Sequence, residues 1–150
     1  MFNQILHASQ WCYRKKLRFC GHLFEKMLSR IYSTDISGRA KIDKHVAFGH
    51  GGLGVVIHPD AVIGPGCLIS ARVTIGNDFP KGTGVPTLGK NVYIGVGAYV
   101  GGGIKIADNV VIGANSVVTK DILEPGVVVA GVPGRILRKL TEEEIQKLQW

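Results

Sequence analysis

Residues 88–118 read LGKNVYIGVGAYVGGGIKIADNVVIGANSVV, and an aliphatic residue returns every sixth position: Leu88, Ile94, Val100, Ile106, Ile112 and Val118. The residue after each is usually small (Gly89, Gly95, Gly101, Ala107, Gly113), and the fourth after it is small or β-branched (Val92, Ala98, Ile104, Val110, Ser116). A period of six suits a short strand followed by a corner. One aliphatic side chain per hexad points inward and stacks on its equivalent one coil away, while small residues let the backbone turn. A single coil cannot bury its own interior, so coils must stack into one column. The pattern predicts a parallel β-helix.

Upstream, Ile57, Ile63, Ile69 and Ile75 keep the same period, as do Ile36, Ile42 and Phe48. Two stretches break it. Gly49-His50-Gly51-Gly52-Leu53-Gly54 puts a three-residue offset before Ile57, and Asn77–Thr87 (NDFPKGTGVPT) forms a loop rich in Gly and Pro. A regular solenoid needs neither, and segments expelled from a rigid scaffold are where function usually sits. The hexads run to Val118, after which Leu123–Val132 reads as a further extended segment.

The ends differ from the middle. Residues 2–32 lack proline and scatter Leu6, Tyr13, Leu17, Leu23, Phe24, Met27, Leu28 and Ile31 at helical spacing. This predicts one or two amphipathic helices with a break near Gly21, docked across the end of the column; attachment to a membrane surface through the basic cluster is the alternative. Thr141-Glu142-Glu143-Glu144 is a capping box for a short helix ending near Trp150. The expected division is a helical segment over 1–34, the β-helix over 35–140 and a closing helix over 141–150.

With 150 residues, 45% of them hydrophobic and 19% charged, the chain suits one globular domain rather than a disordered or membrane-spanning one. The formal charge of +7 gathers at the two ends, in Arg14, Lys15, Lys16 and Arg18 and in Arg135, Arg138 and Lys139. No nucleic-acid reader motif accompanies it, so an anionic small ligand is the better partner and nucleic acid is not expected. Three cysteines without a CxxC spacing read as reduced thiols. No signal peptide or apolar run of bilayer length appears, so a cytoplasmic location is expected.

The hexads, the segment DISGRAKIDKHVAFGHGGLGVVIHPDAVIG (35–64) and the closing AGVPGRILRKL (130–140) resemble the hexapeptide-repeat acyltransferases, and within them the serine O-acetyltransferase branch, which includes transferases of surface-polysaccharide pathways. The resemblance implies a left-handed parallel β-helix, a homotrimer and acetyl-coenzyme A as co-substrate, with no metal. It implies His50 as general base with Asp35, fifteen residues earlier, as its partner. For the cofactor it implies corner backbone at Val96 and Ala114, then Thr119, Lys120, Arg135 and Arg138; Gly76 and Asn77, where the loop departs, join that set. Two positions depart from the serine enzymes. Gly49 stands where they carry Asp, and Gly84-Val85 where they carry Arg-His. Those departures favour a hydroxyl of a sugar or glycan precursor as acceptor, with serine as the alternative.

The chemistry fits. An alcohol is too weak an acid to attack a thioester unaided, and imidazole, with an ordinary pKa of about 6.5, can take its proton as attack proceeds. A carboxylate would orient the ring and stabilise the imidazolium. A backbone N–H near the His50 or Gly76 segment would receive the oxyanion. Read alone, a histidine among glycines is an exposed corner residue; the register break and the spacing from Asp35 favour catalysis. His45 and His58 read as surface corners and Cys67 as packing. Two rivals remain: a non-catalytic scaffold, and a γ-class carbonic anhydrase suggested by His45 and His50, which lacks a third histidine on a preceding coil.

Overall fold

The computed structural model describes residues 1–149, and five coils of parallel β-helix make up its body. The first coil holds β1 (Asp35–Ile36), β2 (Lys41–Ile42) and β3 (Ala47–Phe48); the second holds β4 (Val56–Ile57), β5 (Val62–Ile63) and β6 (Leu68–Ile69). The third holds β7 (Thr74–Gly76), β8 (Thr87–Leu88) and β9 (Tyr93–Ile94); the fourth holds β10 (Tyr99–Gly101), β11 (Lys105–Ile106) and β12 (Val111–Ile112). The fifth holds β13 (Val117–Val118) and β14 (Val127–Ala130). Stacking gives three faces: face A from β1-β4-β7-β10-β13, face B from β2-β5-β8-β11, and face C from β3-β6-β9-β12-β14.

Inside, each face contributes one aliphatic column. Ile36, Ile57, Ile75, Val100 and Val118 line face A, and Ile69, Ile94, Ile112 and Val129 line face C, every one of them buried. Each such side chain contributes about 1.5–3 kcal/mol by leaving water. The corner residues close the column, with Val55, Val73, Ala98 and Ser116 at or near zero exposure.

Partners in adjacent coils are 18 residues apart where nothing intervenes, as for Val56 with Thr74 and Tyr99 with Val117. Asp35 pairs with Val56, three residues more than a coil requires, and Thr74 with Tyr99, seven more. The surplus residues are the His50 turn, at the corner between faces C and A, and the loop between β7 and β8, at the corner between faces A and B.

The column runs further than its hexads. Ile122 bridges to Ile106, and β14 pairs with β12, so the last coil closes only at Ala130. Its spacing is irregular, four residues from Val118 to Ile122 and seven on to Val129, which hides it from a period of six. β15 (Arg135–Lys139) then turns back antiparallel on β14.

At the other end α1 (Phe2–Arg14) and α2 (Arg18–Tyr32) form a hairpin. The break falls at Lys15–Leu17, with Lys16 left-handed, and not near Gly21. Gly21 lies within α2, where a Cβ would stand 2.7 Å from the Tyr13 ring of α1, so the glycine serves close packing of the two helices. Asn3 and Gln10, two helical turns apart and so on one side of α1, donate from their side-chain amides to the carbonyls of Val46, Ala40 and Ile42. They satisfy backbone of the first coil that has no coil before it. Phe2, Ile5, Leu6 and Leu28 join the core, whereas Phe19, Leu23, Met27 and Ile31, spaced by four on α2, face outward. The closing helix α3 (Glu142–Gln146) has the reciprocal Thr141–Glu144 capping box but stops at Lys147, its C-cap, after little more than one turn, short of the expected end near Trp150, which itself lies outside the described residues. No helix among the described residues is long and apolar enough to cross a membrane.

Candidate active site

His50 stands at a corner where the backbone is left-handed: its φ and ψ are 50° and 35°, and Gly51, Gly52 and Gly54 continue with φ of 64°, 71° and 67°. Left-handed side-chain-bearing residues also occur at Arg72, Asn91, Asn109 and Asn115, so the conformation belongs to tight turns in this chain. What sets the His50 turn apart is its support. Phe2 of α1 stacks edge-on against Tyr32 of α2 (ring centroids 5.1 Å apart) and tilted against Phe48 of β3 (4.8 Å). A Cβ at Gly52 would sit 2.7 Å from the Phe2 ring, and one at Gly51 3.3 Å from Tyr32. The helical hairpin therefore holds the turn from beneath and leaves the imidazole exposed.

The same turn runs beside the approach to Asp35. Gly54 N–H donates to Tyr32 C=O (3.4 Å) and Asp35 N–H to Val55 C=O (2.9 Å), so the Tyr32–Asp35 and His50–Val55 stretches lie together. Both side chains are exposed, and among the described residues no hydrogen bond or ion pair joins them.

The corner carrying His50 continues along the column as one edge. Arg72 N–H donates to Leu53 C=O (2.8 Å), Gly97 N–H to Ala71 C=O (3.0 Å) and Asn115 N–H to Val96 C=O (2.8 Å). Val96 and Ala114 thus lie two and three coils beyond His50 on the same edge, about 10 Å and about 14 Å away at the ordinary strand spacing. Gly95 keeps this edge tight: a Cβ there would come within 2.5 Å of Ala114 N.

A second feature opens on face A. A groove of about 510 Å³ is lined by Asp35, His58, Thr74, Gly76, Asn77 and Tyr99. The Tyr99 hydroxyl donates to Asn77 C=O (2.6 Å), pinning the start of the loop, and Gly103 N–H donates to Thr83 Oγ1 (3.0 Å). Within the loop, Asp78 accepts from Thr83 N–H (2.8 Å) and Thr83 Oγ1 (2.7 Å), and these bonds hold its carboxyl below the ordinary range. His58 Nδ1 accepts from Asp60 N–H (3.2 Å), which leaves Nε2 of the neutral ring as the donor.

Residues 86–120 match the family model for the bacterial transferase hexapeptide (six repeats). Serine acetyltransferase of Synechococcus elongatus is 37% identical over 131 residues, which cover 87% of this chain and 53% of that protein. The serine acetyltransferase of Helicobacter pylori is 34% identical over 128 residues, covering 85% of this chain and 74% of its own. The chain belongs to the hexapeptide-repeat acyltransferases, in their serine acetyltransferase branch. Among solved structures, serine acetyltransferase of Brucella abortus in complex with coenzyme A superposes with a TM-score of 0.85 at 29% identity, over 92% of this chain and 55% of that one. The chain spans little more than half the length of most curated relatives it matches.

Within this member of the family the expected site residues divide between two edges that flank face A. His50, Val96 and Ala114 share the corner between faces C and A. Gly76 and Asn77, with the exposed Thr119 and Lys120 that follow β13, lie at the corner between faces A and B. Asp35 opens from face A into the groove. Arg135 and Arg138 lie on β15, opposite Ala130 and Val128. Arg138 has its guanidinium fork occupied by Glu144, at 2.8 and 2.7 Å, while among the described residues Arg135 Nη1 donates only to Gly134 C=O (3.0 Å). His58, which reads as a surface corner in the sequence, belongs to the groove; its signal is its place two residues after Val56, the register partner of Asp35. Cys67 is buried, and burial pushes its thiol up to about 11. Among the described residues no three His, Cys, Asp or Glu side chains gather as metal ligands.

Proposed function

We propose that this chain transfers the acetyl group of acetyl-coenzyme A to a hydroxyl, with His50 as general base. The imidazole removes the hydroxyl proton as the oxygen attacks the thioester carbonyl. The tetrahedral intermediate collapses with loss of the coenzyme A thiolate, which recovers the proton from the imidazolium. Asp35 steers the ring electrostatically from the neighbouring strand. The observation that carries this reading is the shared edge: an exposed imidazole, on a turn underpinned by an aromatic cluster, stands on the line of corners that presents Val96 and Ala114.

Serine is the acceptor that the related proteins support, in preference to the sugar hydroxyl favoured by the sequence departures alone. A sugar hydroxyl remains the second reading, because the position before His50 is Gly49 and that before Pro86 is Gly84-Val85. The division of site residues between two edges favours a homotrimer, in which the corner between faces A and B of one chain meets the His50 edge of the next. The three free thiols suit a reducing, cytoplasmic compartment.

Release of the coenzyme A thiol, followed with serine, nucleotide sugars and oligosaccharides in turn, tests the acceptor. Saturable turnover with serine supports the first reading, and turnover with a sugar alone supports the second. Equal rates for wild type and His50→Ala with every acceptor would remove the enzyme reading and leave a scaffold.

A further inference from the structure

The helical hairpin and the first coil enclose a second, larger cleft of about 1120 Å³, on the helix side of the molecule and apart from the groove on face A. Arg14, Lys16, Arg18 and Arg39 line it, together with Tyr13 and His22. Three of the cations come from the α1–α2 turn and its flanks, where Lys16 is left-handed and its N–H donates to Tyr13 C=O (3.0 Å). The fourth comes from the turn between β1 and β2.

Like charges converging on one cleft repel one another unless a carboxylate answers them. The hairpin's one acid does not. Glu25 Oε1 accepts from Ser37 Oγ and Gly38 N–H, both at 2.8 Å, and Oε2 accepts from the Tyr13 hydroxyl (3.1 Å) and contacts His22 Nδ1 (3.2 Å). Its oxygens are spent on fixing the hairpin to the first coil. Among the described residues Arg14, Lys16 and Arg18 have no carboxylate partner, and Arg39 has only a long contact to Asp60, at 3.4 Å between exposed groups.

We propose that this cleft is a binding site for a phosphate-bearing anion, either a soluble phosphoester or diphosphate or the headgroup of an anionic lipid. Three guanidinium forks suit the oxygens of a phosphate better than a lone carboxylate, and the cleft is roomy enough for a diphosphate with a substituent. The site also has a physical route to the groove. Arg39 Nη2 donates to Asp60 Oδ1, and Asp60 N–H donates to Nδ1 of His58, which lines the groove. The site does not depend on the acetyl-transfer reading.

Calorimetric titration of the full chain with inorganic pyrophosphate at fixed ionic strength tests it. Arg14→Gln/Arg18→Gln should weaken binding at least tenfold with the unliganded melting temperature unchanged. Lys41→Gln/Lys44→Gln, which removes the same charge elsewhere, should weaken it less than twofold. Equal losses in the two variants, or no saturable binding by wild type, overturn the site. Because coenzyme A is itself a diphosphate, separation from the acyl donor's site is read from the variant: Arg14→Gln/Arg18→Gln should keep wild-type affinity for coenzyme A while losing pyrophosphate, and a parallel loss of both ligands overturns a separate site. Co-sedimentation with phosphatidic acid vesicles that pyrophosphate competes away, and that Arg14→Gln/Arg18→Gln abolishes, identifies a lipid source. Saturable pyrophosphate binding without such co-sedimentation identifies a soluble one. Vesicle binding indifferent to both would place membrane contact on the apolar stripe of α2 and overturn the site.

Discussion

Asp35 and His50 stand on adjoining stretches with no hydrogen bond or ion pair between their side chains among the described residues, and this separates two accounts of what the carboxylate does. A carboxylate bonded directly to the base would be worth several orders of magnitude in rate, as in triad enzymes. Here both groups are exposed and no hydrogen bond or ion pair joins them. Screened by water, such a pair interacts by about 1 kcal/mol at most, which is about fivefold in rate. Loss of the general base itself costs about 10²- to 10⁴-fold. Steady-state kinetics of thiol release should therefore show Asp35→Asn down by less than tenfold in kcat and His50→Ala down by at least a hundredfold. The double variant should fall no further than His50→Ala, because the carboxylate acts only through the ring. A loss above a hundredfold in Asp35→Asn, with melting temperature and KM unchanged, would refute the reasoning, since the two side chains would then touch in the working enzyme.

Restoring a carboxylate beside the base should move acceptor preference. A Cβ at Gly49 meets only Ser70 Cα at 3.5 Å and Ile69 O at 3.7 Å, so Gly49→Asp should cost less than about 1 kcal/mol in denaturant melts and raise kcat/KM for serine relative to sugars. The thiols should separate by reactivity: at pH 8 iodoacetamide should label exposed Cys20 in the native chain and Cys67 only after unfolding, as peptide mass mapping can show. Acid should release the C-terminal helix late. The Arg138 guanidinium, and next the Thr141 N–H, hold the Glu144 carboxyl at about 2, below the ordinary 4.5. The free carboxylate thus takes its proton before the docked one, and docking persists in full above about pH 4.5 and is lost as pH falls toward 2. Amide shifts of Thr141 followed by NMR report that transition.

The coils were legible because the solenoid repeats one demand, an inward apolar residue every sixth position, in three runs between Ile36 and Val118. The fifth coil was not, since Ile122 and Val129 meet the same demand at spacings of four and seven. The His50 turn announced itself as a register break, yet the reason it holds its shape lies in Phe2 and Tyr32, which a linear reading has no means of joining to Phe48. The hairpin's period was visible, but a period does not tell which face is covered: Leu6 and Leu28 are buried, whereas Leu23, Met27 and Ile31 are exposed. The placement of the residues expected to meet the cofactor on two edges, and of His58 beside Asp35, depends on which corner each hexad reaches, and the two insertions set that count.

A stack of identical coils has no intrinsic last member, and each exposed end is a template for another chain. β15 answers this on face C: it runs against the grain of the other strands, its pairing slips between Val128 and Val129, and Arg135, Arg138 and Lys139 crowd its surface. Truncation after Ala130 would strip that terminator from β14. Such chains should pair through their bared fifth coils into dimers detectable by sedimentation, since the helical hairpin covers the other end of the column. β15 forestalls that fate with three cations among its five residues.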